Sequence, residues 1–298
     1  MRARVAGKLE PWDGESDDVS NSASKDAVRG GMPRTLNAQT AAPRSGTQSI
    51  ERTLRLLREI GTRSHSGWQL ADLARGCELD KGTVRRMLNC LVRERMVTRR
   101  AQDGHYLPGP LIYELSFGLP AYAAFQRAGQ ERVAALAART RGVASLYLRS
   151  GDDYVCIAQT VGSAAKGLGS VRVGSRHPLM LVTGGHAILA AMKRDEARRV
   201  IARNLASLER AGYGRIRAIK RVLQGSIKAG FGITEGLLLP GINAFGVAIR
   251  GVDGQPFGAL SVAGPGDRFP KSRADEIREM LDTEAGALAK RAAEMKLG

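Results

Sequence analysis

Apolar residues recur at helical spacing from Ser49 onward. Ile50, Leu54, Leu57 and Ile60 predict a first helix that ends near Gly61. A short second helix is predicted over 70–75, followed by a turn through Gly76-Cys77-Glu78-Leu79. The third, over 81–95, places Val84, Leu88 and Leu91 at i, i+4 and i+7 on one apolar stripe, with Met87 beside it. Asp80 stands where an N-cap belongs. Two β-rich runs, 97–100 and 105–107, flank Gln102-Asp103-Gly104, and Asp-Gly between short strands signals a hairpin. Three helices and a hairpin packed into residues 48–108 predict a winged helix-turn-helix.

The pattern changes after Pro108 and Pro110. A linker helix is predicted over 111–119, inside a connecting segment 109–124, and a second helix over 126–140. Runs 143–148 and 154–160 are β-rich and joined by Ser150-Gly151-Asp152-Asp153, so they pair as a hairpin. Helices follow over 185–193, 194–208 and 215–229, then strands 243–252 and 257–263 around Asp253-Gly254, then a helix over 271–295. Strands joined by tight turns, with helices between and after them, predict an antiparallel sheet covered by helices in 125–298. The fold class expected is α+β. Residues 1–47, rich in Ser, Ala, Gly, Asp and Asn and poor in large apolar side chains, read as a disordered arm, with Met32 an alternative start.

Composition narrows the function classes. The 298 residues are 43% hydrophobic and 5% aromatic, enough for a sizeable, largely aliphatic core. No apolar run approaches a membrane span, and the N-terminus lacks the apolar core of a signal peptide, so a cytoplasmic protein without a membrane partner is expected. Cys77, Cys90 and Cys156 are widely spaced and make neither a disulfide framework nor a zinc signature. The net charge of +17 implies a polyanionic partner. The segment 48–106 carries a net +5 and the remainder beyond it +11. Eleven basic and three acidic residues fall between Lys193 and Lys228, where a solvated helical face is the ordinary reading.

The third helix carries the sharpest chemistry. Opposite its apolar stripe it presents Gly82, Arg85, Arg86, Asn89 and Arg93. Arg pairs bidentately with guanine and Asn with adenine in a major groove. Lys81, Thr83 and the N–H groups of the helix start suit phosphate, which positions without specifying. Arg99, Arg100 and His105 of the hairpin are candidates for backbone or minor-groove contacts. A solvated face remains open for any one of these residues; the helix-turn-helix and the basic wing together favour double-stranded DNA.

These residues also resemble a known family. Leu70-Ala-Asp-Leu-Ala-Arg, Leu79-Asp-Lys-Gly-Thr-Val-Arg-Arg-Met-Leu and Gly104-His-Tyr-Leu-Pro-Gly-Pro look like the DNA-binding region of the IclR family of bacterial transcriptional regulators. Val173-Gly-Ser-Arg-His-Pro-Leu, Pro240-Gly-Ile-Asn and Gly258-Ala-Leu-Ser-Val-Ala-Gly-Pro look like its effector-binding domain, so the resemblance spans about 48–297. It implies an N-terminal winged helix-turn-helix joined by a linker helix to a GAF-like antiparallel-sheet effector domain. The assemblies it implies are homodimers, or tetramers built as dimers of dimers, and a contact with RNA polymerase stays open. No cofactor is implied.

Arg176-His-Pro-Leu-Met-Leu-Val-Thr-Gly-Gly-His reads as a loop feeding a helix, with Thr183 placed to cap it and Gly184 and Gly185 free to admit a ligand. A capped helix with glycines for close packing is the alternative. The family's effector loop resembles this stretch, which favours a pocket lined by Met180, Leu181, Val182 and Thr183, facing Tyr147, Gln159, Asn243, Phe245 and Ser261. Here Met180-Leu-Val-Thr stands where the family often has His-Cys-Thr-Ala, His186 where it has lysine, and Thr234-Glu235 where it has an acidic pair. Free N–H groups at such a helix start favour an anion, so a carboxylate or an apolar or aromatic acid is the effector expected. Apolar replacement argues against a sugar-like ligand and for a more hydrophobic effector, or for a domain that has lost its ligand. His65, His105, His177 and His186 are scattered, and no hydrolase elbow or phosphate-binding loop occurs. Gly162, Gly167, Gly169 and Gly174 lack dinucleotide spacing and read as a flexible connection. The expected function is a sequence-specific regulator under effector control. The alternatives are a ligand-independent DNA-binding protein whose second domain only oligomerises, and a GAF-like sensor or enzyme.

Overall fold

The computed structural model describes residues 47–63, 66–165, 171–210, 212–236 and 239–297. The arm, Met32, His65, Gly167 and Gly169 lie outside them, as does all of 1–47 except Thr47.

Helix α1 (Gln48–Gly61) splits its apolar residues between two faces. Leu56 and Ile60 are fully buried, whereas Ile50 and Leu54 are 57% and 47% exposed. Helix α2 (Leu70–Cys77) runs two residues further than expected and turns at Glu78, which takes the left-handed conformation at φ 56°. Helix α3 (Lys81–Arg93) starts as predicted, with the Asp80 carboxylate accepting from the Thr83 N–H at 2.7 Å. It stops two residues early because Arg95 also turns left-handed, and the Met96 N–H closes back on the Leu91 carbonyl. Strands β1 (Val97–Arg99) and β2 (Tyr106–Pro108) pair antiparallel, and Trp68 bridges to Tyr106 at the edge. Leu56, Ile60, Trp68, Leu73, Val84, Leu88 and Tyr106 form the core of this unit.

The linker differs from expectation. It is two helices, α4 (Pro110–Ser116) and α5 (Pro120–Thr140), the second starting six residues before the predicted 126. Each has proline at its first position, where a missing N–H costs nothing, and Gly118 lies in the break.

The second unit is built on one six-stranded antiparallel sheet, ordered β5-β4-β3-β8-β7-β6. Its strands are β3 (Val143–Ser150), β4 (Asp153–Val161), β5 (Arg176–Pro178), β6 (Gly232–Glu235), β7 (Ile242–Arg250) and β8 (Pro256–Pro265). The two predicted hairpins therefore join through β3 and β8 into a single sheet. The edge strands β5 and β6 were not predicted; at three and four residues they are too short for period-2 alternation to show.

Helices α5 and α9 (Ala274–Glu294) cover one face, over Leu146, Phe245, Val247, Leu260 and Val262. The opposite face is covered by α6 (Thr183–Ala191), α7 (Arg194–Arg210) and α8 (Ile216–Ala229), packed on Tyr147, Tyr154, Cys156 and Ala259. A short 3₁₀ turn, Leu179–Leu181, feeds α6 and is wholly buried.

Candidate nucleic-acid interface and effector face

In the N-terminal unit, burial of Val84, Leu88 and Leu91 turns Lys81, Arg85, Arg86, Asn89 and Arg93 to the surface. A groove of about 320 Å³ lies between α3 and the wing, lined by Leu70, Arg85, Asn89, Arg99, Gly104 and Tyr106. It brings together three of the predicted contact residues: Arg85 and Asn89 from the helix, and Arg99 from β1. Lys81 borders a second hollow, beside Arg75, Glu78 and Asp80. Arg86 donates to the Thr83 hydroxyl at 3.0 Å, which holds both side chains at the helix start. Arg93 lies at the far end and pairs with Glu94 at 3.2 Å.

The wing tip has its own electrostatics. Gly104 sits at φ 71°, a left-handed position that the turn requires. Arg100 grips the Asp103 carboxylate through Nε at 2.9 Å and its terminal nitrogen at 2.6 Å, and also donates to the Ser66 carbonyl. The Arg100 contacts, followed by those of His105, hold the Asp103 carboxyl well below the usual carboxylate range. His105 places Nδ1 2.8 Å from Asp103. Arg100 and His105 thus shape the wing, while Arg99 is the exposed cation. Leu70 and Tyr106 also line the groove, and the sequence pattern did not single them out; both belong to the apolar set and carry no charge signal.

On the effector side, cross-strand pairing settles which residues share a face. Tyr147 pairs with Ala259, and Ser145 with both Gln159 and Ser261, so Ser145, Tyr147, Gln159 and Ser261 point together toward α6. Gln159 Nε2 donates to the Ser145 hydroxyl at 3.2 Å, and the Ser261 and Tyr147 hydroxyls lie 3.4 Å apart. Thr183 and Thr234 share a hydrogen bond at 3.0 Å between β6 and the start of α6. Ser145 was missed, although two-residue alternation from Tyr147 would have found it.

Several predicted pocket residues are elsewhere. Phe245 and Asn243 alternate onto the opposite face: Phe245 is buried in the α5–α9 core, and Asn243 Nδ2 donates to the Phe269 carbonyl at 2.9 Å. Thr183 is not the N-cap; Val182 holds that position, and Thr183 is the first helical residue. Gly184 and Gly185 do not leave room for a ligand. A Cβ on Gly184 would come within 2.5 Å of the Tyr147 ring, and one on Gly185 within 2.0 Å of the Leu179 carbonyl oxygen. Met180 is fully buried and Leu181 nearly so, while Val182 is half-buried against the same core. The Met180 carbonyl accepts from His186 Nε2 at 2.8 Å, and its N–H donates to Asn204. His186 is fully buried, and desolvation pushes its imidazole down to about 4. Gly162 is tight rather than flexible, since a Cβ there would meet the Arg141 backbone at 2.4 Å.

A winged helix-turn-helix with a basic groove, followed by a helix-covered antiparallel sheet, is the architecture of a DNA-binding regulator. Comparisons identify which. Residues 49–101 match the IclR helix-turn-helix domain, and residues 125–290 match the bacterial transcriptional regulator IclR C-terminal domain. The chain belongs to the IclR family of bacterial transcriptional regulators. Its fold resembles that of an IclR family transcriptional regulator from Brucella abortus, at 20% identity and a TM-score of 0.67, over 87% of this chain and 99% of that one. An IclR transcriptional regulator from Alicyclobacillus acidocaldarius matches at 22% identity and a TM-score of 0.59, over 82% and 98% of the two chains. An IclR homologue from Microbacterium hydrocarbonoxydans, complexed with 4-hydroxybenzoate, matches at 18% identity and a TM-score of 0.59, over 82% and 99%. A comparison with curated protein sequences gives no match. No helix among the described residues is long and apolar enough to cross a membrane.

Proposed function

We propose that this regulator reads a specific operator in the cytoplasm as a dimer, one α3 helix per half-site, under control of a small aromatic or apolar carboxylate. The convergence of Arg85, Asn89 and Arg99 on one groove carries the reading. Arg85 and Asn89 read base edges, Lys81, Thr83 and Arg86 hold phosphates near the helix start, and Arg99 grips the backbone beside it. Arg93 contributes at the far end of the helix, and Arg100 and His105 act by holding the wing in shape.

The effector lies against Ser145, Tyr147, Gln159 and Ser261, beside Gly246, Ala248, Ala259 and Ala263, which are small and apolar. Hydroxyl and amide donors on such a face suit a carboxylate or phenol attached to an apolar body. The 4-hydroxybenzoate complex of a related protein has that chemistry. Dimerisation uses α4, the break that follows it and the start of α5, where Tyr113, Leu115, Phe117, Leu119 and Tyr122 are all about half or more exposed. Light scattering on the full chain, with a dimer mass expected, checks this part.

One observation favours a second reading, in which the C-terminal domain only oligomerises. Gly184 and Gly185 are filled by Tyr147 and Leu179, and the hydroxyls of the face already bond one another. Calorimetric titration of the full chain with hydroxylated and unsubstituted benzoates separates the two. Saturable binding that Gln159→Leu abolishes, with the melting temperature of the variant unchanged, supports effector control. No heat and no stabilisation across the panel supports the oligomerising domain.

A further inference from the structure

Helix α8 is charged in a way that its neighbours are not. It carries Arg217, Lys220, Arg221 and Lys228 and no acidic residue. All four cations are exposed, and none makes a hydrogen bond or ion pair among the described residues. Arg217, Arg221, Gln224 and Lys228 recur at i, i+4, i+7 and i+11, which aligns them along one side of the helix, with Lys220 at its edge. The row extends over roughly 17 Å of helix axis.

A helix that merely faces water ordinarily mixes both signs, and α9 does so, pairing Arg273 with Glu276 just before its start, then Arg278 with Asp282 and Arg291 with Glu294. On α8 the like charges at i,i+3 and i,i+4 repel and destabilise the helix. Arg217 adds to this by standing in the first turn, where the macrodipole favours an acid and none is present. An anionic chain laid along the row relieves both effects.

We propose that the exposed face of α8 is a second DNA-binding surface, gripping phosphates of duplex DNA without reading sequence. Duplex DNA is chosen because the proposal rests on the DNA-binding reading above, and because a net +11 of the total +17 lies beyond residue 106, outside the sequence-reading unit. The surface adds affinity and salt dependence to operator binding but no base preference.

The test uses the full chain and a fluorescent mixed-sequence duplex of about 60 base pairs, with affinity measured across a salt series. Four proteins are compared: wild type, R217Q/K220Q/R221Q/K228Q, R85Q/R86Q, and a control, R127Q/R268Q/K290Q/K296Q, that removes the same charge from exposed sites elsewhere. The α8 variant should lose at least about tenfold in affinity near 0.1 M salt. Its slope of log K against log salt should be shallower by about 0.9 for each phosphate no longer neutralised, up to about 3.6. The control should stay close to wild type, and the α8 variant should melt at or above the wild-type temperature because the repulsion is gone. An α8 variant no weaker than the control overturns the proposal and returns the row to solvent or to a protein partner. If R85Q/R86Q alone loses binding, the regulator reading stands without this surface. A wild-type chain that binds no duplex overturns both.

Discussion

Gly185 shows how tightly single atoms are specified where α6 meets the sheet. Its Cα faces the Leu179 backbone so closely that a methyl group would sit 2.0 Å from the carbonyl oxygen. Main chain in a buried 3₁₀ turn has little freedom to retreat, so Gly185→Ala should destabilise the protein by about 1–3 kcal/mol, read as a lower urea midpoint with an unchanged slope. A wild-type midpoint would show that the turn yields. His186 makes a second prediction. Burial holds its imidazole at about 4 against 6.5 in an open chain, and burial does the same at His177. Below about 6.5 the unfolded chain takes up protons that the folded one refuses until about 4, so stability is full above that window and falls through it. Thermal melts should therefore drop by several degrees between about pH 7.5 and about pH 5. Ring-carbon NMR shifts of His177 and His186 that titrate near 6.5 would contradict their burial.

At the scale of elements, the recognition helix was legible because three independent signals agreed: an apolar i, i+4, i+7 stripe, an Asp N-cap and a polar outer face. The wing was legible from Asp-Gly between two short β-rich runs, and Gly104 does take the left-handed position. What stayed hidden depended on contacts between elements. Nothing local marks Glu78 or Arg95 as left-handed helix ends, and three-residue β5 has no period to read. Asn243 and Phe245 fall on the other face for one cause, a shared parity along β7 that only the pairing with β8 reveals. Pairing puts Ala244 and Gly246, not their neighbours, opposite Ala263 and Ser261. The groove geometry in turn ranks the cations of α3. Arg85→Ala should cost about 1–3 kcal/mol on a mapped operator and relax one base position. Arg93→Ala should leave base preference intact. Equal losses of specificity from the two would show that the helix enters the groove at another angle.

For the whole molecule, two-domain organisation and family were readable from motifs spread over both halves, and matches to 49–101 and 125–290 agree with them. The sheet as one six-stranded unit was not readable, because the β3–β8 pairing joins residues more than a hundred positions apart. The groove formed by Arg85, Asn89 and Arg99 should discriminate one DNA sequence from another, and the rest of the regulator reading depends on that. Fluorescence anisotropy of the full chain measures it, on duplex DNA from upstream of its own gene, beside a scrambled duplex, at two salt concentrations. A preference of roughly a thousandfold that survives moderate salt is expected. Equal affinity for the upstream duplex, for the scrambled one and for every sequence recovered in a genome-wide binding selection would show that the groove reads no sequence.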